Sequence, residues 1–563
     1  MSERELETVG GAVRMDRRTF LGAVGLGGGG LLLASLLPGR ILAEETLPEL
    51  VVSGELNAYI KVTSDGRITI YSPHPEMGQG VKTALPMIIA EELGARWEDV
   101  EVLQAPLDEA RFGRQGAGGS TTIPRNFDEM RRMGASARDM FISAGSLVME
   151  VPKEELRTGD SKVIHDSGRY MTFGQLASLA AKQAVPDPEN LKFKSRADYT
   201  IIGTSVSGVD NLAIATGLAL FGIDTRVPDM VYAAYQKCPA IGGRVVSANT
   251  DEIRKLPGVL DAFVVEGNGD VRELLDGVAI VGTSTWAVFQ ARERLQVRWD
   301  EANASKDSWE TLVQRGQSLA GRRGRDLVLN KGNVRAAFND SSNTTLDAFY
   351  EYPFVSHFCL EPMNCTAHYR QGTGGAPDSL EIWVPHQGPG RAIQVAQSMF
   401  GLAPERVTVH PMRLGGSFGR RVYAEYICEA IAISKRVGAP VKLTWSREDD
   451  MRHDFFRVGG FQWVKGAVDA RGRLVAFEDH FVGMETNGEA VSGSRFADTE
   501  FPMQNIDHAY ASKTMLDIDT PCGPWRAPGS NTTAFVTQSF LAELAHAAGR
   551  DYAEFLLEIL GER

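Results

Sequence analysis

The residues with the clearest chemical potential are three glycine-rich turns, each followed by a stretch with helical spacing. They occupy residues 76–81 (EMGQGV), 414–421 (LGGSFGRR) and 525–530 (WRAPGS), and a related segment occupies residues 118–122 (GGSTT). Glycine lets backbone N–H groups approach a ligand closely, and the first turn of a helix adds unpaired N–H donors and partial positive charge. We therefore predict that distant parts of the chain surround a large phosphate-bearing cofactor.

The cysteines and histidines indicate no metal site ligated by protein side chains. The ten histidines include no HExxH motif, and the five cysteines show neither a CxxC pair nor an iron–sulfur spacing. We expect the cysteines to be mostly buried small hydrophobic side chains. If the protein handles electrons, its clusters belong to another polypeptide. The cysteines are Cys238, Cys359, Cys365, Cys428 and Cys522.

Composition favours a soluble enzyme of more than one domain. Hydrophobic residues make up 43% of the 563 residues, enough for several cores. The formal net charge is −13 and no Lys/Arg-rich block occurs, so we expect no nucleic-acid partner.

The amino terminus resembles a twin-arginine export signal. The pair Arg17-Arg18 precedes an apolar, glycine-heavy run over residues 22–37 and a small-residue site at residues 41–43. A transmembrane anchor is the alternative, but four consecutive glycines at residues 27–30 interrupt the apolar run. The pattern predicts a periplasmic protein, exported already folded, whose signal is either removed or kept as an anchor.

Strand-like and helix-like patterns alternate along the rest of the chain. Residues 55–72 predict a hairpin around Asp65-Gly66, and helices are expected after Gly80 and after the capping residues 120–122. Short β-branched runs separated by helix-like pieces fill residues 211–301. We predict a mixed α+β and α/β fold with four parts: a signal over 1–43, a lobe over 44–210, a small inserted α/β domain over 211–301, and a second lobe over 302–563.

As an ordered set, the motifs resemble the molybdenum-binding subunit of the xanthine dehydrogenase and aldehyde oxidase family, of the isoquinoline 1-oxidoreductase beta-subunit type. In chain order they are EMGQG, GGSTT, the small α/β segment, HFCLEPMN at 357–364, GGSFGRR, SREDDM at 446–451 and GPWRAPGS. The resemblance covers nearly everything from residue 50 onward. It implies two molybdopterin-binding lobes and an inserted domain of the hammerhead type.

The resemblance implies contacts to molybdopterin cytosine dinucleotide from backbone amides and hydroxyls, which suit a pyrophosphate. Residues 415–419 match the loop that lies against the metal in relatives. The implied cofactor-binding residues are Gln79, Gly80, Gly118, Ser120, Thr121, Thr122, Gly415, Gly416, Ser417, Phe418, Gly419 and Arg526.

Three residues are implied as catalytic. Phe418 matches a wall of the substrate pocket, while Arg526 and Arg457 match substrate-facing arginines that stabilise developing anions. An ordinary salt bridge, for example to Glu448 or Asp449, is the alternative for both arginines.

Two further residues are candidates for the pocket. Glu361 begins Glu-Pro-Met-Asn, where a structural turn is the alternative to catalysis, and Gln387 lies in a His-Gln-Gly-Pro-Gly-Arg segment that is a candidate pocket lining.

The implied reaction oxidises an aldehyde or an electron-poor carbon of an N-heterocycle, with water as the oxygen source. Electrons would leave through a separate small subunit with two 2Fe-2S clusters. In relatives a glutamate in a Gly-Val-Gly-Glu-type motif acts as base, and that motif does not occur here. Three explanations stay open: a truncated product, one half of a split subunit with a separately encoded carboxyl-terminal half, or a chain that has lost catalysis.

Two rival classes follow from the residues. One is a non-catalytic exported protein that keeps the fold to bind a cofactor or partner. The other is a nicotinamide-dependent dehydrogenase, which is disfavoured because no glycine turn has GxGxxG spacing after a strand with an acidic residue about 20 positions on.

Overall fold

The computed structural model describes residues 31–36 and 56–561. It divides into two compact units: unit 1 comprises Met1–Thr225 and Leu380–Gly415, and unit 2 comprises Arg226–Ser379 and Gly416–Arg563. Apart from strand Leu31–Leu36, the predicted export signal lies outside the described residues.

Unit 1 is built around a four-stranded sheet with two long helices packed on each other. The strands follow the order Leu31–Leu36, Leu56–Val62, Ile68–Ser72, Val100–Gln104, the last pair parallel. Helices Val81–Leu93 and Thr122–Met149 approach so closely at Gly134 that a β-carbon there would lie 2.4 Å from the carbonyl oxygen of Ile89. The other helices and strands of unit 1 are Glu109–Phe112, Leu156–Gly159, Lys162–His165, Tyr170–Thr172, Phe173–Ala180, Asn211–Ala215, Arg391–Phe400 and Val407–Pro411. Strand Ser379–Val384 begins at the unit boundary and pairs in parallel with Val407–Pro411.

Unit 2 contains two larger sheets and the helices that cover them. One group of strands has the order Val259–Val265, Gly277–Gly282, Val231–Lys237, Val441–Thr444, Asn364–Arg370. A second has the order Asp326–Lys331, His508–Asp517, Leu474–Thr486, Gly460–Val468, Thr344–Tyr352, with Glu489–Ala490 paired to Leu474–Thr486. Arg244–Ala248 pairs with Val297–Asp300. The helices are Thr250–Ile253, Thr285–Arg292, Trp309–Ser318, Val334–Asn339, Glu425–Val437, Arg447–Arg452, Asn531–Ala547 and Tyr552–Leu560.

The local predictions in unit 1 are largely confirmed. The hairpin forms with Val62 opposite Ile68, and Gly66 adopts φ +91° in its turn. Both predicted helices form, and the methionines Met130 and Met133 are buried in the core. The predicted capping is wrong, because Thr121 makes no side-chain cap and its hydroxyl donates to the carbonyl oxygen of Gly118 instead.

The short strands and helices predicted between residues 211 and 301 are present, and the mixed helix-and-sheet class is confirmed. The structure groups residues 226–301 with unit 2, while the four domain boundaries stay predictions. None of the five cysteines forms a disulfide with another described residue, and four are buried, as the sequence predicted. Within the described part of the chain, no helix combines the length and the apolar character needed to cross a membrane.

Candidate functional site

The EMGQG turn in unit 1 is shaped by a carboxylate of its own. Gly80 is the left-handed residue from which helix Val81–Leu93 begins, with φ 84°. The buried carboxylate of Glu76 accepts hydrogen bonds from the backbone N–H groups of Gly78 at 2.7 Å, Gly80 at 3.1 Å and Lys82 at 2.9 Å. The expectation of unpaired donors at this helix start is therefore wrong for these three groups, because a negative side chain already satisfies them.

Gln79 is exposed, and its side chain bonds within the same turn. Its amide Nε2 donates to the carbonyl oxygen of Pro75 at 2.9 Å, and its Oε1 accepts from the N–H of Met77 at 2.7 Å. These bonds fix the turn around the side chain. Contact of Gln79 and Gly80 with a cofactor stays a prediction.

The structure brings the GGSTT segment together with Gln387. The N–H of Ala117 donates to the carbonyl oxygen of Gln387 at 2.8 Å, and Gln387 Nε2 donates back to the carbonyl oxygen of Ala117 at 3.0 Å. Ser120 is held in the left-handed region with φ 56°. Both predicted segments therefore form one connected loop pair in unit 1.

A partly buried ion-pair network joins the EMGQG turn to the start of the GGSFGRR segment. Arg413 pairs with Asp210 at 2.7 Å, and Asp210 also pairs with Lys82 at 2.8 Å. The N–H of Leu414, directly before Gly415, donates to the carbonyl oxygen of Glu76 at 3.0 Å. Arg413 and Asp210, which lie 203 positions apart in the chain, thus fix the position at which the GGSFGRR loop begins.

In unit 2, residues 416–421 form a strained loop with an exposed aromatic ring. Gly416 and Gly419 have φ of +100° and +109°, and Phe418 has φ 55°. A left-handed phenylalanine costs of the order of 1–2 kcal/mol, so the surrounding structure must hold it. Phe418 keeps 39% of its surface exposed, as a pocket wall requires.

Arg421 holds Glu361 in a structural arrangement. The fully buried Arg421 Nη2 donates to the Glu361 carbonyl oxygen at 2.6 Å and pairs with its carboxylate at 3.2 Å. Arg421 Nε donates to the carbonyl oxygen of Gly416 at 3.0 Å. The geometry favours the structural alternative for Glu361, because its carboxylate neutralises a buried cation.

Beside this pair lies a second buried charge network. Arg420 is fully buried and pairs with Glu425 and, at 2.9 Å, with Asp454. Burial opposes the charge on Arg420, but these two carboxylates together raise its pKa above the ordinary value. Burial likewise acts to raise the pKa of Asp454, yet the hydrogen bond from His357 and the charge of Arg420 hold that pKa below its ordinary value.

The two predicted substrate-facing arginines differ in their surroundings. Arg526 is exposed, and its guanidinium makes no ion pair or hydrogen bond with the residues that the structure describes. Arg457 is half-buried, and its Nη2 donates to the carbonyl oxygen of Pro353 at 2.6 Å. Burial lowers the pKa of Arg457. Neither pairs with Glu448 or Asp449: Asp449 instead binds Arg292.

The fit of these loops to a large polar cofactor differs between the two units. In unit 1, no described residue comes within 4 Å of a β-carbon built on Gly78, Gly80 or Gly118, so the turns leave open space beside the backbone, although the N–H groups of Gly78 and Gly80 already donate to Glu76. In unit 2, the Nε1 of Trp525 and the Nε of Arg457 are buried without a hydrogen-bond partner among the residues that the structure describes. These orphaned donors suit an anionic or carbonyl-rich ligand.

Backbone strain marks the same loops. Nine non-glycine residues in the described chain have positive φ, and four of them fall in the predicted site segments. Such strain collects where function requires a particular geometry. The four are Ser120, Phe358, Phe418 and Ala527.

Sequence reasoning missed the residues that hold these loops in place. Glu76 and His357 lie inside the predicted motifs, but their roles depend on partners that no local pattern reveals. Asp454 lies 97 residues from His357 and carries no motif of its own. A carboxylate two residues before Gly-x-Gly was the one available signal, since it can accept hydrogen bonds from the backbone N–H groups of its own turn.

Comparison with protein families finds the same kind of domain twice. Residues 43–219 and 321–558 each match the description "molybdopterin cofactor-binding domain". The predicted insert falls largely between the two matches.

Several characterised proteins are similar over most of the chain. "Membrane-bound aldehyde dehydrogenase [pyrroloquinoline-quinone]" of Gluconacetobacter polyoxogenes is 28% identical, covering 90% of this chain and 67% of the relative. The beta subunit of isoquinoline 1-oxidoreductase from Brevundimonas diminuta is 29% identical, covering 98% and 76%. A nicotinate dehydrogenase subunit of Pseudomonas putida is 24% identical, covering 90% of this chain and only 43% of the relative.

Among solved structures, quinoline 2-oxidoreductase from Pseudomonas putida 86 matches with TM-score 0.48 and 17% identity, covering 63% of this chain and 49% of that one. Aldehyde oxidoreductase from Desulfovibrio gigas matches with TM-score 0.46 and 17% identity, covering 68% and 46%. The chain thus spans just under half the length of these solved chains.

The two matches, which together cover most of the chain, define a molybdopterin-binding protein as the class. The chain carries two molybdopterin cofactor-binding domains, and it is similar to the isoquinoline 1-oxidoreductase beta subunit over nearly its whole length.

Proposed function

We propose that this chain is the substrate-oxidising subunit of a molybdenum hydroxylase that acts on an aldehyde or an N-heteroaromatic ring, with water as the oxygen source. The observation that carries the proposal is the molybdopterin-binding domain match in both lobes, whose loops contain open glycine backbone and orphaned buried donors. The printed names of the relatives, an aldehyde dehydrogenase and an isoquinoline oxidoreductase, support the two substrate classes.

The proposed cofactor is molybdopterin cytosine dinucleotide. The residues offered for it are the predicted set in the EMGQG, GGSTT and GGSFG loops, together with Arg526. Once bound, the cofactor supplies a two-electron acceptor and an activated oxygen that no side chain here can provide.

The protein's own residues then bind, orient and polarise the substrate. Phe418 offers an exposed ring against which a planar aromatic substrate packs. Arg526 presents a guanidinium with five donors and no protein partner among the described residues, suited to negative charge that develops on a substrate oxygen or nitrogen. Arg457, with its lowered pKa and orphaned Nε, offers a second donor.

The proposal includes a partner and a location. Two relatives are named as subunits, which supports a multi-subunit enzyme, and a small protein with two 2Fe-2S clusters is the proposed electron acceptor. We also propose export to the periplasm through the signal at residues 1–43.

The decisive experiment is cofactor analysis of the protein purified from its own host. Molybdenum is measured by mass spectrometry, CMP after acid hydrolysis, and pyrroloquinoline quinone in the same extract because one relative is named for it. Near-stoichiometric molybdenum and CMP, with substrate-dependent incorporation of 18O from labelled water, are expected. Folded protein without molybdenum and CMP, or with pyrroloquinoline quinone in their place, would overturn the proposal.

A further inference from the structure

We propose that His357 is a positioning residue that holds the Pro524–Trp525–Arg526 turn against the loop bearing Phe418. The His357 side chain is almost fully buried, so it lies behind the proposed site and is not exposed to a ligand in it. The inference rests on the proposed function only in assigning Phe418 and Arg526 to the substrate.

Both ring nitrogens of His357 are in contact with oxygen atoms of other residues. Nε2 lies 3.0 Å from the carbonyl oxygen of Pro524, which can only accept. Nδ1 lies 3.0 Å from Oδ1 of Asp454, an anionic carboxylate that also accepts from the His357 backbone N–H at 2.6 Å and from Ser356 Oγ at 2.8 Å. The ring therefore bridges the Pro524 carbonyl oxygen and the Asp454 carboxylate, which lie at its two opposite nitrogens.

The carboxylate that His357 contacts also belongs to a buried ion-pair network. Asp454 faces both His357 and Arg420, and Arg420 also faces Glu425. The buried Arg420 guanidinium is thus paired with two carboxylates, which is the condition under which buried charges are tolerated, and this network holds Asp454 in place beside His357.

The Pro524 carbonyl oxygen that His357 binds also marks the contact between the two loops. A β-carbon on Gly419 would lie only 1.5 Å from that oxygen, so it rests directly on the Gly419 backbone. Arg526 follows two residues after Pro524, and Phe418 directly precedes Gly419. His357 therefore fixes the spacing between Phe418 and Arg526 through one shared oxygen atom.

The test is hydrogen–deuterium exchange on the purified full chain, which needs neither cofactor nor substrate. His357→Phe should raise exchange at least tenfold in peptides covering residues 416–421 and 523–531, and leave helix Val81–Leu93 unchanged. His357→Gln, whose amide can still donate to Pro524, should restore most of the protection. His480→Gln is the matched control, because it alters a buried histidine of unit 2 that bonds to Thr514.

Unchanged exchange at both loops in a folded His357→Phe protein would overturn the inference, as would the same increase in His480→Gln. If His357→Phe does not fold, the His357→Gln variant decides alone. Its protection from exchange at residues 523–531 should fall by less than threefold. A loss of protection as large as that of global unfolding would overturn the positioning role of His357. Molybdenum content is measured in parallel. A wild-type chain without molybdenum would refute the proposed function while leaving the exchange result valid.

Discussion

Gly419 and Pro524 touch backbone to backbone, so that the carbonyl oxygen of Pro524 occupies the place where any side chain at position 419 would begin. The distance from that oxygen to a β-carbon on Gly419 would be 1.5 Å, and the φ of Gly419 is +109°. Both the contact and the conformation therefore require glycine. The two loops that carry Phe418 and Arg526 meet at this point.

Gly419→Ala should consequently destabilise unit 2 by at least about 2 kcal/mol, because strain and overpacking add. Denaturant unfolding of the purified chain measures the change. Gly529→Ala is the control, since no described residue lies within 4 Å of its β-carbon, and it should change stability by less than about 0.5 kcal/mol. Equal losses of stability in Gly419→Ala and Gly529→Ala would contradict the backbone contact between Gly419 and Pro524.

Phe418→Ala should change substrate preference more than stability. The ring is 39% exposed, and its loss removes a stacking surface that favours a planar ring over a small aldehyde. We expect the ratio of kcat/KM for a two-ring N-heterocycle to that for a short aliphatic aldehyde to fall about tenfold, the effect of about 1.4 kcal/mol. Phe535→Ala, at an exposed phenylalanine of helix Asn531–Ala547, is the control. An unchanged ratio in an active complex removes Phe418 from the pocket.

Two arginines of unit 2, one exposed and one buried, should respond in opposite ways to truncation. Arg526→Ala removes an exposed side chain, so it should lower turnover at least tenfold with molybdenum content and thermal stability retained. Arg421→Ala removes a fully buried cation that pairs with Glu361 and donates to the carbonyl oxygen of Gly416, so it should cost about 3–5 kcal/mol of stability. Thermal unfolding, metal analysis and kinetics on both variants separate the roles. Loss of molybdenum from Arg526→Ala would instead assign that residue to holding the cofactor and not to the substrate.

The sequence predicted the local elements of the loops well because their signals are local. Asp-Gly in the hairpin, the glycine at Gly80 and the helical spacing of the methionines each act within a few residues of chain. The strain at Phe418 was not predictable, because a left-handed phenylalanine violates the local preference and survives only through tertiary contacts.

The contacts that hold the loops were beyond sequence reasoning for a different reason. Asp210 reaches Arg413 across 203 positions, and Asp454 reaches His357 across 97. Nothing in composition or periodicity selects these partners from the 72 acidic residues of the chain. The partners of Glu76 were equally unpredictable, although they lie close in the chain. Its carboxylate accepts from the backbone N–H groups that the sequence predicted to be free, and it reaches them only once the turn is folded.

Export should depend on the arginine pair. Arg17→Lys with Arg18→Lys removes the feature that the twin-arginine signal requires, so the protein should stay in the cytoplasm of its own host. Fractionation followed by immunodetection measures the distribution. Arg14→Lys changes an arginine outside the pair and should leave export intact. A periplasmic double variant would refute the signal.

Burial of the Asp479 carboxyl group should make stability fall with rising pH. Asp479 is almost fully inaccessible, and burial raises its pKa to about 7, although Gln462 donates to it at 3.0 Å. An ordinary aspartate has a pKa of about 3.9. Between this pKa and the raised pKa of Asp479, the folded state therefore holds the proton more tightly than the unfolded state does. The neutral form is therefore stabilising below about pH 4, and this contribution is lost as the pH rises through 7.

Asp479→Asn keeps an acceptor for Gln462 but cannot ionise. It should match the wild type near pH 4 and exceed its stability by roughly 2 kcal/mol or more at pH 8.5, since each unit of pKa shift corresponds to about 1.4 kcal/mol. Denaturant unfolding across this pH range measures the difference. Asp517→Asn makes the same charge change at an exposed position and should leave the pH slope of the wild type in place. A constant difference between Asp479→Asn and wild type at all pH values would show that Asp479 does not titrate in this range.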